Sequence, residues 1–244
     1  MLQAHIKLDM TNIRCAILPG DPGRIDQIAK LLDSPRELAY NREFRSLAGT
    51  WQGVEIIACS TGIGGSSAAI AVEELHHIGV THMIRIGSCG ALQAGIGLGH
   101  LILACGAVRD DGASRAYADI RFPAVPDTGL LNECIQSAKT HEFIHHVGII
   151  HSHESFYIDT NEEEEAYWRK LGVLAADMET AALFTVGRLR GIKTASILNN
   201  VVVYGSDTSE SIGEYCDGGT PAAEGERREI IVALDALASA MKGK

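Results

Sequence analysis

Three short segments combine glycine with small polar residues, and two of them also carry arginine. They are Pro19–Arg24, Ser60–Gly65 and Arg85–Gly90. Glycine lets backbone amides approach an anion closely, and the N-terminus of a following helix adds positive potential. Arginine adds a planar, permanently charged fork that matches the oxygens of a phosphate. Arg24 and Arg85 are therefore consistent with an anion site, although tight turns alone would also account for the glycines.

A fourth segment, Ala176–Glu179, places two acids around a methionine at the start of an apolar helical pattern. A carboxylate can accept both hydrogens of a vicinal diol, such as the 2'- and 3'-hydroxyls of ribose. Asp177 and Glu179 would equally favour a helix N-terminus, because carboxylates interact well with the positive end of the helix dipole. At the level of spacing both interpretations stay open.

Other chemical signatures are weak in this sequence. His151 and His153 are spaced as a possible metal pair, but no third ligand is evident, so no metal site is predicted. The six cysteines form no CxxC pair and mostly lie in apolar runs, which is typical of reduced core cysteines. A GxSxG elbow, a Walker A loop and a dinucleotide fingerprint are all missing.

Composition limits the class of protein. The chain has 244 residues, 46% of them apolar, which is enough for one well-packed domain over residues 1–244. A formal net charge of -10 argues against nucleic acid or an anionic membrane surface as a partner, but not against a small anionic substrate. No apolar stretch approaches the ~20 residues of a membrane span, and the N-terminus shows no apolar signal core. We therefore expect a cytoplasmic protein.

Apolar strand-like runs alternate with helical patterns along the chain, which predicts one α/β domain with a buried sheet between helices. The glycine segments follow predicted strands, and open α/β sheets bind ligands at the carboxyl ends of their strands. Strands are predicted at Ile13–Leu18, Val54–Cys59, Met83–Ile86, Leu101–Cys105, Val147–Ile150 and Thr194–Val203.

Helix signals fall between these strands. Asp21 is expected to cap a helix that has Pro22 at its first position. Further helices are expected from about Ser67 and from Thr220-Pro221. Gly205–Gly219 is rich in glycine, serine and acids, which predicts an exposed loop.

Taken together, these segments resemble the nucleoside phosphorylase family that includes bacterial uridine phosphorylase and hexameric purine nucleoside phosphorylase. The similarity runs nearly end to end and is greatest to the uridine phosphorylase branch. The motifs that carry it are PGDPGRID, NREF, STGIGG with AVEEL, RIGSCGAL, VRDDGAS with RFPAV, and DMETAAL.

The resemblance implies a three-layer α/β/α fold with a central mixed β-sheet. It also implies a homohexamer that is built from dimers. It implies reversible phosphorolysis of a nucleoside to free base and ribose 1-phosphate, with phosphate as co-substrate and no other cofactor. Arg85 and Glu179 would be the catalytic residues. The implied phosphate ligands are Gly20, Arg24, Arg85, Ser88 and, from a neighbouring subunit, Arg42; the implied ribose ligands are Met178, Glu179 and the neighbour's His5; the implied base contacts are Phe156, Cys89 and Gly90.

The chain departs from the family where the base is recognised. Thr160 and Glu162 stand at the Gln-x-Arg positions with which uridine phosphorylases read uracil. Val201-Val202 stands where purine phosphorylases carry a Ser-Asp pair, and Asp177 shortens the first acid of the family's Glu-Met-Glu. The base is therefore not assigned. A purine nucleoside phosphorylase, a nucleosidase and a non-catalytic nucleoside-binding protein stay open as alternatives.

Overall fold

The computed structural model describes residues 1–206 and 221–242, and within them the chain forms a nine-stranded mixed sheet. The strand order is β2-β3-β4-β1-β5-β8-β7-β6-β9. Because β9 pairs with both β6 and β5, the last five strands close into a ring. The strands are β1 (Cys15–Pro19), β2 (Asp33–Asn41), β3 (Phe44–Trp51), β4 (Val54–Cys59), β5 (His82–Ala91), β6 (Leu101–Asp110), β7 (His145–His153), β8 (Ala175–Asp177) and β9 (Lys193–Val202).

The helices cover the sheet from both sides, which confirms the expected three layers. They are α1 (Arg24–Ala29), α2 (Gly65–His77), α3 (Gly112–Tyr117), α4 (Thr128–Thr140), α5 (Asn161–Lys170), α6 (Thr180–Leu189) and α7 (Pro221–Lys242). Successive side chains of a strand point to opposite faces. In β1, Ala16 and Leu18 accordingly join the core cluster under α2 and α6. Cys15 and Ile17 join a second cluster under α1, α4 and α7.

The predicted strands are all present, but one helix begins later than expected. The first turn of α1 starts at Arg24, with Gly23 at the N-cap and no side-chain cap. Asp21 instead accepts the Gly23 N–H through Oδ1 at 2.9 Å, inside the turn that precedes the helix. The prediction that Asp21 caps a helix beginning at Pro22 was therefore wrong, because this side chain closes a tighter local turn.

The cysteines and the segment Gly205–Gly219 were expected to be core thiols and an exposed loop, respectively. Cys105 is exposed, whereas Cys15, Cys59, Cys89 and Cys134 are buried free thiols, so the expected core role holds for these four. The predicted loop Gly205–Gly219 lies, from residue 207 onward, outside the described residues. None of the described helices is long and apolar enough to cross a bilayer.

The topology brings the three glycine segments to one edge of the sheet. β1 lies between β4 and β5 and runs parallel to both, so the carboxyl ends of the three strands are adjacent. The segments are also joined by backbone bonds, since Thr61 N–H donates to Pro19 O and Gly62 N–H to Gly20 O, both at 2.9 Å. This edge is where an open α/β sheet binds ligands.

Candidate active site

A cleft with a volume of about 2090 Å³ opens at this edge of the sheet. The glycine segments form one wall and Ala176–Glu179 forms another, while α5 and the first turns of α7 face them. Nine of the residues expected at the site line this single cleft. They are Gly20, Arg24, Arg85, Ser88, Cys89, Gly90, Phe156, Met178 and Glu179.

Arg85 lies on β5 and is held by two carboxylates. Its Nε donates to Asp177 Oδ2 at 3.1 Å, and its Nη2 donates to Glu179 Oε2. Burial lowers the pKa of Arg85, but the Glu179 and Asp177 carboxylates raise it by more, so the guanidinium stays charged. A Cβ at position 87 would lie 2.6 Å from the Arg85 guanidinium, so this arrangement requires glycine there.

Glu179 is buried between Arg85 and the N-terminus of α2. Its Oε1 accepts the Gly64 N–H at 2.6 Å. Gly64 has φ of +91°, a conformation that favours glycine. Burial raises the pKa of Glu179 and Asp177 adds to the rise, while Arg85 opposes both. The carboxylate is thus placed in the cleft with its orientation fixed from two sides.

Asp177 has a different set of partners. Its Oδ1 accepts the Ser152 hydroxyl at 2.6 Å, and its Oδ2 accepts the Thr180 hydroxyl at 2.6 Å and the Thr180 N–H at 3.1 Å. It therefore caps the start of α6 and orients Arg85. The two acids differ in position: Asp177 accepts the first backbone N–H of α6, and Glu179 lines the cleft between Arg85 and Gly64.

Arg24 is the second cation of the cleft. Its Nη2 donates to Ser88 Oγ at 2.5 Å, and its Nη1 donates to Glu229 Oε1 at 3.3 Å. Its Nε lies 3.3 Å from Glu226 Oε2. Arg24 and Arg85 thus reach the same cleft from adjacent strand ends, as a site for a phosphate requires.

The opposite end of the cleft is more apolar and mixed in charge. Phe156, Val201 and Val202 line it together with residues of α5, including Glu162. Arg169, also on α5, stacks its guanidinium 4.7 Å from the centre of the Tyr204 ring, and both residues line the cleft. This end has room and polar groups for a planar heterocycle.

Two expected residues, His5 and Arg42, do not line the cleft of their own chain. His5 Nδ1 lies 2.7 Å from Glu74 Oε1, and its N–H also donates to that carboxylate. Arg42 lies in the turn between β2 and β3, with φ of +55°. His5 is therefore tied to α2, and neither residue contributes to the cleft of its own chain.

Comparison with known proteins agrees with this geometry. A family model described as the phosphorylase superfamily matches residues 14–209. The chain belongs to the phosphorylase superfamily. A crystal structure of uridine phosphorylase from Vibrio fischeri ES114 superposes with a TM-score of 0.90 at 45% identity, covering 97% of each chain.

The relatives within the superfamily are named for nucleosides of more than one base. The guanosine phosphorylase of Halorubrum lacusprofundi is 36% identical over 96% of this chain and 98% of its own. The uridine phosphorylase of Thermococcus kodakarensis is 34% identical over 97% of this chain and 86% of its own. Membership of the superfamily confirms the resemblance and the fold that it implied.

The sequence did not single out Glu226, Glu229 or Arg169 as part of the site. Glu229 had a signal, because it is a carboxylate on the apolar stripe of α7 with Ala233 and Leu237. Arg169 had no such signal, since nothing in the sequence around it indicates that it faces a cleft.

Metal ligation has no support in the part of the chain that is described. No three His, Cys, Asp or Glu side chains of residues 1–206 and 221–242 are grouped so that they could hold a metal ion. His151 Nε2 lies 3.2 Å from Asp110 Oδ2 instead.

Proposed function

We propose that this protein is a nucleoside phosphorylase, which cleaves the N-glycosidic bond of a ribonucleoside or deoxyribonucleoside reversibly with inorganic phosphate. One observation carries the proposal: Arg24, Arg85 and Ser88 converge on the same cleft as the buried carboxylate of Glu179. The first three suit a phosphate, and the last suits the diol of a ribose. The names of the relatives in the superfamily support the same reaction class.

The chemistry follows from holding two reactants face to face. The C1'–N bond breaks and its electron pair leaves with the base, while a phosphate oxygen forms the new bond to C1'. Positioning of the two partners can supply several kcal/mol of barrier lowering. The phosphate's own negative charge stabilises the cation that develops on the ribosyl ring, and the two arginines fix the phosphate on that face.

Glu179 is placed to grip the 2'- and 3'-hydroxyls, and Met178 lines the cleft beside it. Because Arg85 contacts Glu179 directly, the phosphate and ribose halves of the site are joined by one ion pair. Loss of either residue would therefore disturb both halves.

The complete site is proposed to need a second subunit. His5 and Arg42 do not line their own cleft, and we assign them to the ribose and phosphate of a neighbour. A homohexamer built from dimers, a cytoplasmic location and a role in nucleoside salvage belong to the same proposal. Phosphate is the co-substrate, and the reaction needs no further cofactor.

The base is proposed to differ from that of a typical uridine phosphorylase. Glu162 stands where that branch carries a cationic guanidinium, and it lines the cleft. A carboxylate cannot donate a hydrogen bond to a uracil carbonyl, and its charge repels the anion that forms as uracil leaves. Arg169, on the same helix, is the guanidinium that the structure offers at this end instead.

One assay separates this proposal from its alternatives. Nucleosides are supplied with and without phosphate, and free base and ribose 1-phosphate are measured. Phosphate-dependent release of both products is expected. Release of base and free ribose without phosphate would indicate a nucleosidase, and no release from any nucleoside would indicate a non-catalytic binding protein.

A further inference from the structure

Glu229, on α7, is a fully buried acid in contact with two parts of the expected phosphate site. Its Oε1 accepts from Arg24 Nη1 at 3.3 Å, and its Oε2 accepts from the Gly87 N–H at 3.1 Å. Arg24 follows β1, whereas Gly87 lies on β5 next to Ser88. One carboxylate therefore ties together the two neighbouring strand ends on which a phosphate would sit.

The chemistry of these contacts favours a charged acid over any neutral replacement. Both groups that face Glu229 are donors, so both of its oxygens must act as acceptors. An ionised carboxylate satisfies this requirement. A protonated acid or an amide does not, because it presents a donor to Arg24 or to Gly87.

We propose that Glu229 is a positioning residue of the phosphate site, with one oxygen fixing the Arg24 guanidinium and the other fixing the strand end that carries Ser88. This inference rests on the proposed function. Glu229 lies beneath the site and acts on phosphate through Arg24 and Ser88, which are themselves linked by a 2.5 Å hydrogen bond.

The surroundings of Glu229 make this role dependent on pH. Burial raises the pKa of Glu229 to about 8, the neighbouring Glu226 adds to the rise, and Arg24, the Gly87 N–H and Arg85 oppose it. The acid is thus protonated below this pH and ionised above it. We expect both contacts to strengthen as the pH rises through about 8 and to weaken as the pH falls below it.

The test compares the parent protein with Glu229→Gln, which keeps the size of the side chain but cannot accept at both ends. KM for phosphate and KM for the nucleoside are measured from pH 6.5 to pH 9. The ratio of the two proteins' phosphate KM values cancels the titration of phosphate itself. We expect this ratio to be within about twofold at the acid end and to rise to roughly tenfold at the alkaline end, as expected for the loss of a charge-assisted contact. The nucleoside KM is expected to change by less than about twofold throughout.

Two further variants separate positioning from general stability. Glu226→Gln removes the acid that lies 3.3 Å from Arg24 Nε. We expect a smaller change in phosphate KM, with the step moved to lower pH because Glu226 adds to the rise of the Glu229 pKa. Glu133→Gln alters a partly buried acid outside the cleft that accepts from Ser239 of α7; it serves as the control and is expected to leave both KM values unchanged. An unchanged phosphate KM for Glu229→Gln at the alkaline end, or equal rises in both KM values, would overturn the proposal.

Failure of the reaction class would be distinguishable from failure of this inference. If the parent cleaves no nucleoside with phosphate, the proposed function is wrong. Calorimetric titration with inorganic phosphate alone then tests whether Glu229 supports phosphate binding. Weaker phosphate binding by Glu229→Gln at pH 9 supports Glu229 as a positioning residue. Equal binding by both proteins, or no binding by the parent, overturns it.

Discussion

At the scale of single residues, the cleft is organised by acid–arginine pairs whose members differ in role. Asp177 accepts from Ser152, Thr180 and Arg85, whereas Glu179 accepts from Arg85 and from the backbone of Gly64 and Met178. A buried charge is costly to leave unpaired, so truncating any one of these side chains affects its partner as well.

Arg85→Ala is expected to abolish most phosphorolysis. The variant loses a phosphate contact and leaves Glu179 and Asp177 without their shared cation, so kcat/KM should fall roughly 100-fold or more, or about 2–4 kcal/mol. Steady-state rates at saturating phosphate measure the change. Arg121→Ala, an exposed arginine paired within its own loop, is the matched control. If Arg85→Ala phosphorolyses nucleosides at the parent's rate, Arg85 is not part of the active site.

The base preference is expected to respond to the first turn of α5. Uridine should be a poor substrate for the parent, because Glu162 replaces the guanidinium that reads uracil. The double substitution Thr160→Gln with Glu162→Arg should raise kcat/KM for uridine by tenfold or more, because it restores an amide and a guanidinium to the uracil edge. Loss of such polar partners can change the discrimination between substrates by several orders of magnitude. The measurement is kcat/KM for uridine, thymidine, inosine, guanosine and adenosine. Uridine cleaved by the parent well ahead of the others would contradict this assignment.

At the scale of elements, the site depends on how helices and strands begin and end. The N-terminus of α2 supplies the Gly64 N–H to Glu179, and the N-terminus of α6 supplies the donors that hold Asp177. Both helix starts therefore orient acids of the cleft, in addition to starting helices that pack on the sheet.

Gly64→Ala and Gly53→Ala form a pair that separates backbone strain from function. Both glycines have positive φ, and an added Cβ would meet no atom within 4 Å at either position. Each substitution should lower the free energy of unfolding by about 1–2 kcal/mol, the cost of left-handed backbone for an L-residue. Urea denaturation measures this loss. Only Gly64→Ala should also lower kcat/KM, because only Gly64 contacts Glu179; equal activity losses would contradict that contact's role.

The sequence predicted those elements whose apolar pattern is continuous. Val54–Cys59 is apolar apart from Glu55, and its bounds were predicted as observed. β2 and β3 were missed because β2 is largely exposed and polar and β3 mixes small and polar residues, so neither shows a clear period. β8 has only three residues and depends on its neighbours in the sheet for its conformation.

The same distinction applies to the candidate site. Local chemistry, glycine with arginine after a strand, was enough to find Arg24 and Arg85. Contacts made across the fold were not, because Glu229 meets Arg24 from 205 residues away in the chain. Arg169 likewise could not be predicted, because its contact with Tyr204 is made only in the folded chain.

At the scale of the whole molecule, one chain holds an incomplete set of the expected ligands. His5 and Arg42 lie outside their own cleft, and apolar side chains of β7 and the segment before it, Ile144, Val147 and Ile149, are about half exposed. Exposed apolar clusters of this kind are typical of surfaces that pack against another chain.

Mixing two inactive variants should restore part of the activity if subunits share sites. Arg42→Ala damages the cleft of a neighbour, whereas Glu179→Ala damages its own, so some mixed pairs contain one cleft free of both lesions. Phosphorolysis is measured after the two proteins have been denatured and refolded together. Each variant refolded alone is the control, and no recovery despite demonstrated exchange of subunits would contradict a shared site.

The contact between Arg24 and Glu229 also has a consequence for how the protein is made. Synthesis delivers Arg24 and Gly87 before Glu229, so a growing chain cannot form these contacts until α7 has left the ribosome. Contacts so distant in sequence close slowly, since the loop entropy must be overcome first. The contacts that join Arg24, Gly87 and Glu229 therefore form only after α7 has been synthesised.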